Sequence, residues 1–153
     1  MCSAMKPTFF RNLLIGLLAF LGVGAMVGGG ALIISPSGEL LGMPLSMIKD
    51  SPFPNFLIPA IFLFVFLGLA PCLLIFALLK KPESKLAEKI NFYKDMHWSW
   101  SFSIYIAFIL IIWLQLEMMF IHSVHWSHTF YMFYAIAILF MALMPQVRTL
   151  YKQ

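Results

Sequence analysis

Residues 56–79 read FLIPAIFLFVFLGLAPCLLIFALL, and none of them is charged. A membrane-crossing helix needs about 20 apolar residues at roughly 1.5 Å rise each, and this stretch exceeds that. Period-2 alternation of the kind that marks a barrel strand is absent. In lipid every backbone polar group must find its partner internally, so the α-helix is the solution left.

Working outward, three more stretches fit the same reading. Residues 12–34 contain LLIGLLAFLGVGAMVGGGALII, again without charge. Residues 98–121 form a third stretch and residues 126–147 a fourth. The chain has 153 residues, of which 62% are hydrophobic and 10% charged. A soluble domain carries roughly 25% charged residues, and so few could not cover a water-facing surface. The expected fold is all-α. It is one integral membrane domain over residues 1–153, a transmembrane four-helix bundle with a partly ordered outer loop between helices 1 and 2. Read as a secretory signal, the first stretch would take Lys6 and Arg11 as its basic region. Its apolar run is longer than the roughly 7–15 residues of a signal core, so a retained span is expected.

Basic residues set the orientation. Lys6 and Arg11 precede the first stretch. Lys80, Lys81, Lys85, Lys89 and Lys94 lie between the second and third, and Arg148 and Lys152 follow the fourth. Only Lys49 lies on the other side. This asymmetry predicts cytoplasmic termini in a plasma membrane. The formal net charge of +4 is thus a topology signal. The lysines lack interleaved stacking aromatics, so no nucleic-acid partner is expected; the bilayer is the expected surrounding.

The connecting segments differ in character. Pro36, Pro44, Pro52 and Pro54 discourage a long helix in residues 35–55. Leu40, Leu41, Met43, Ile48 and Phe53 make that loop too apolar to float free, so it is expected to fold back as a lid. In the middle loop Leu86, Ile90 and Tyr93 recur at helical spacing among lysines, suggesting a short amphipathic helix. Attraction to anionic lipid is one reading of those lysines; a solvated topology anchor is the preferred one.

The first stretch holds Gly16, Gly22, Gly24, Gly28, Gly29 and Gly30. Gly24 and Gly28 have the spacing that lets a second backbone approach closely. Packing inside the monomer is preferred over a homodimer or a partner membrane protein. Pro59 sits in the first turn of the second stretch. Pro71 lies inside it and should kink it, freeing the carbonyl near Leu67.

The loop and entry PSGELLGMPLSMIKDSPFPNFLIPAIFLFVFLGLAP, residues 36–71, resemble a family of small uncharacterised bacterial membrane proteins with four predicted spans. The shared features are the P-S-G loop, the S-P-F…L-I-P entry and a P-x-V-R tail, here Pro145, Gln146, Val147 and Arg148. The resemblance implies a bacterial inner membrane and no particular activity. The hairpin departs from that pattern in carrying more histidines.

That hairpin holds the candidate chemistry. His122, His125 and His128 are the candidate metal ligands, for zinc or copper, with Glu117 close by. On one continuous helix they would spread over about 120°, so a single ion requires a break between the spans. Gln115, Glu117, Gly28 and Pro59 are the candidate lining of a ligand pocket in the outer half, with Glu117 about one turn below the surface. Cys2 and Cys72 form no C-x-x-C motif, which argues against thiol redox chemistry. All four histidines lie at the edges of the spans, a poor fit to haem. No cofactor is expected. No nucleophile–base pair, paired carboxylates or phosphate loop is present, so a non-enzymatic binding or accessory protein is favoured over an enzyme. The expected occupant is a lipid-like ligand or a partner membrane protein, with outer-face metal handling as the alternative.

Overall fold

A computed structural model describes residues 6–153; Cys2 lies outside the described residues. Among the described residues every regular element is helical. We number them α1 Pro7–Ile34, α2 Leu57–Lys80, α3 Lys85–Lys89, α4 Trp98–Ile121, α5 Trp126–Leu143 and α6 Pro145–Tyr151. Four of these, α1, α2, α4 and α5, are long and apolar enough to cross a membrane. Their outward faces carry exposed Val27, Leu73, Ile112 and Phe133. An apolar exterior on this scale suits lipid as the surrounding solvent.

The fourth long helix ends earlier than its composition suggests. The apolar stretch runs to Val147, but α5 stops at Leu143. Met144 adopts an extended ψ of 132°, and Pro145 opens the new helix α6. Proline disfavours helical backbone in the residue before it, which is the physical reason for the break. The middle loop is also less helical than its spacing implies. Helix α3 covers only five residues. Tyr93 lies beyond it, edge-on against Trp100 at 5.3 Å, while Leu86 and Ile90 remain exposed.

Helices α1 and α2 pack nearly backbone to backbone. A Cβ placed on Gly29 would stand 3.0 Å from both the Ala60 carbonyl oxygen and the Phe64 nitrogen. One on Gly22 would lie 2.7 Å from Cys72 Sγ, and one on Gly68 would lie 2.7 Å from Met26 Cγ. Without a hydrophobic force between helices in lipid, such close approach supplies dispersion and weak Cα–H···O contact. The close packing expected at Gly24 and Gly28 inside the monomer is therefore corrected. Gly28 has no heavy atom within 4 Å, and Gly24 has only Tyr131 Oη at 4.0 Å. The face that meets α2 is Gly22 and Gly29, two turns apart, and not Gly24 and Gly28.

Within this contact, residues Leu63–Leu69 of α2, which include Phe64 and Gly68, widen into a π turn, with Ala70 N–H donating to the Val65 carbonyl. Pro71 follows it and is buried. Proline supplies no N–H, and a π turn is one way a helix accommodates the interrupted ladder. The disturbance expected from Pro71 is thus expressed one turn before it.

One end of the molecule carries the C-terminal α6 and the start of α1, and it is tied by directional hydrogen bonds. Tyr151 Oη donates to the Leu78 carbonyl at 2.7 Å, and Trp100 Nε1 to the Ala142 carbonyl at 2.7 Å. Burial pushes the Tyr151 phenol up to about 12, which keeps it a donor. Asn91, 1% exposed, donates to the Met96 carbonyl and accepts from Ser101 Oγ. The opposite end is closed by residues 35–56. Gly38, at φ 81°, is irreplaceable there, since a Cβ would stand 2.1 Å from the Met43 carbonyl oxygen. Ile48 and Phe56 are buried against Leu32 and Ala60, and Phe53 meets Phe120 edge-on at 5.6 Å.

Gly29→Val is expected to cost about 1–3 kcal/mol, the usual penalty for forcing a side chain into a packed contact. Gly28→Ala, in open space, should be neutral or stabilising by up to ~1 kcal/mol through helix propensity. Thermal unfolding of both variants in detergent checks this, and equal responses would refute the assigned register.

Candidate functional site

Toward the loop end the four long helices leave a cavity of about 220 Å³. Helix α4 contributes Leu110, Trp113, Leu114 and Glu117 to its wall. These recur at three- and four-residue intervals and so share one face. Helix α5 contributes Ser127, His128 and Tyr131 from its first turns, and Gly24 opens space on the α1 side. Leu110 and Leu114 are buried at 2% and 3% exposure, so the inner part of the cavity is apolar. Its polar groups gather where α4 ends and α5 begins.

A second space of about 50 Å³ lies beneath the loop, bordered by Met43, Phe53, Phe56 and Pro59. Leu63, Trp113 and Glu117 line both spaces and separate them. Trp113 is held in place by Phe62, stacked at 5.0 Å with 15° between the rings. Phe53 and Phe56 fill most of the volume under the loop, as a close-packed interior requires.

The histidines part company at the turn. Helix α4 ends at Ile121, and His122 takes a left-handed φ of 51°. From there His122 Nε2 lies 4.0 Å from Asp50 Oδ2 on the exposed surface. His125 Nε2 is within 3.1 Å of Ser123 Oγ. His128 turns inward: it is 6% exposed, and its Nε2 lies 3.8 Å from Glu117 Oε2. Its Nδ1 accepts a hydrogen bond from the His125 N–H at 3.0 Å. Nδ1 therefore carries no proton, and the imidazole is neutral with its proton on Nε2, facing Glu117.

The candidate residues are thus only partly brought together. Among the described residues no three His, Cys, Asp or Glu side chains converge as a metal site. Break and turn separate the histidines instead of gathering them. Glu117 borders both cavities and Pro59 the smaller one. Gln115 does not contribute: two residues from Glu117 it is turned roughly 200° around the helix, and it is exposed. Gly28 does not contribute either, lying one turn beyond Gly24 in open space. Sequence reasoning missed Trp113, Ser127 and Tyr131. The signal for Trp113 was its four-residue spacing from Glu117, and for Tyr131 its three-residue spacing from His128.

Purified protein is expected to carry no stoichiometric zinc or copper, and replacing His122, His125 and His128 together with alanine should leave its metal content unchanged. Elemental analysis of both proteins is the measurement; a bound equivalent lost in the variant would restore the metal reading. Comparison of the chain with protein families, curated proteins and solved structures finds no match.

Proposed function

We propose that this chain is a non-enzymatic binding or accessory protein that holds a lipid-like molecule between its helices. In this reading it is a four-helix transmembrane bundle of a bacterial inner membrane, with both termini in the cytoplasm. The observation that carries it is the 220 Å³ cavity, apolar within and polar at one end. A mostly apolar pocket with a few convergent polar groups is the usual form of a small-molecule site. Its volume is below the roughly 300–1,000 Å³ of a drug-sized site, so it suits a head or one chain segment more than a whole lipid. An ionisable side chain at membrane depth is costly, and Glu117 facing this space supports a binding role. The alternative, metal handling by outer-face histidines, loses support because His122, His125 and His128 point to different partners. The orientation is supported by the basic residues, which gather at the end opposite the loop that carries Lys49.

Two experiments test the reading. In a variant lacking the native cysteines, Ser37→Cys should label with an impermeant thiol reagent applied to intact cells, while Ser84→Cys stays silent; the reverse pattern would invert the topology. Native mass spectrometry of the purified protein should show a retained amphiphile. Gly24→Leu, which projects into open space beside Tyr131, should displace it without loss of thermal stability. Retention unchanged in that variant would remove the cavity from the proposal. A retained polypeptide in its place would transfer the proposal to a partner membrane protein.

A further inference from the structure

We propose that the ligand is a cationic amphiphile, an amine-headed molecule seated against Glu117 with its chain directed inward past Leu114 and Leu110. The inference rests on the cavity being a lipid-like ligand site, and it adds the chemistry of the head.

Glu117 and His128 are the two side chains with acid–base chemistry at neutral pH in the cavity wall, and neither lysine nor arginine lines it. The hydrogen bond that Nδ1 of His128 accepts from the His125 N–H leaves that ring without a positive charge. Glu117 therefore has a neutral imidazole 3.8 Å away, beyond hydrogen-bond range, and no counter-charge. A carboxylate in a low-dielectric setting is stabilised by a cation far more than by a neutral dipole. The missing element is thus a positive group. An ammonium head provides it, together with N–H donors when the amine is not quaternary.

The aromatic walls agree with this. Trp113 and Tyr131 border the same space as Glu117. Indole and phenol rings attract cations through their negative faces, most strongly when water is excluded. A phosphate or carboxylate head would meet the opposite conditions. It would approach Glu117 with no cationic side chain to compensate, which like-charge repulsion disfavours. A neutral alcohol would gain hydrogen bonds but no ion pair. The apolar groups deeper in the wall, Leu21, Leu67 and Leu110, accept a hydrocarbon chain.

The test uses the full-length protein in a sugar-headed detergent, so that no other charged amphiphile competes. Octadecylamine, octadecanol and octadecyl phosphate are added at equal trace concentrations, and bound molecules are counted by native mass spectrometry. The amine should be retained over the other two by about tenfold, the ratio expected from one charge-assisted contact. Glu117→Gln keeps the shape and removes the charge, and should lower amine retention to that of the alcohol. Gly24→Leu should lower retention of all three. Preferential retention of the phosphate, or amine retention unchanged in Glu117→Gln, overturns the amine assignment while leaving the cavity as a lipid site. Retention of none by the wild-type protein overturns the cavity reading and this inference together. The wild-type ratio decides the point even if Glu117→Gln does not fold.

Discussion

The close approach of α1 to α2 at Gly22, Gly29 and Gly68 is the contact on which the rest of the molecule depends. Helices surrounded by lipid gain nothing from hiding apolar side chains from one another. They associate where their backbones come near enough for dispersion to act over many atoms. Glycine permits that distance, and it does so here from both partners. With α1 and α2 drawn together, Leu14, Leu18, Leu21 and Leu67 form one apolar surface to which α4 and α5 add theirs.

The same contact explains why space remains at the loop end. Near the middle of both helices α5 meets α1 through Tyr134, whose hydroxyl donates to the Leu17 carbonyl at 2.6 Å. Two turns further along α1, Gly24 presents no side chain to α5, and the nearest atom is the Tyr131 hydroxyl at 4.0 Å. One glycine face thus serves packing and its neighbour leaves a gap. The gap receives the acid of α4 and the imidazole of α5 because both helices end close to that level. A half-buried carboxylate beside a void is a costly arrangement for a merely structural role.

Much of this fold was legible in the sequence. The long apolar runs, carrying no charge beyond Glu117 in the third, identify the four apolar helices because few other structures tolerate them. The loop between the first two was legible as a cap, since its prolines and apolar residues exclude both a helix and a free coil. What was not legible was register. Gly24 and Gly28 have the four-residue spacing of the packing motif, whereas Gly22 and Gly29 are seven apart, and only the position of α2 chooses between the two faces. That position depends on the π turn at Leu63–Leu69, whose trace in the sequence is a single proline two residues later. The site was half legible. Glu117 stands out as an acid in an apolar helix, whereas its neighbour His128 was grouped with His122 and His125. Spacing along a chain says nothing of a left-handed residue at a turn, and His122 at φ 51° is what scatters the three. The break before Pro145 was available to sequence reasoning and was passed over because the apolar composition continues through it.

The hydrogen bonds of Tyr151 and Trp100 are far from Glu117, yet they bear on how anything reaches it. They join α6 to α2 and α4 to α5 at one end only. The other end is held by the side-chain contacts of Ile48, Phe53 and Phe56 beneath a loop with little regular structure. Local opening is cheapest where backbone hydrogen bonds between elements are few. Because α1 and α2 stay in backbone contact at Gly29 and Ala60 at the loop end, opening there falls to the loop and to the ends of α4 and α5. For the occupant proposed above, entry to the cavity would then be a local fluctuation that leaves the terminal end intact, and its exchange rate would follow the loop more than the stability of the whole protein.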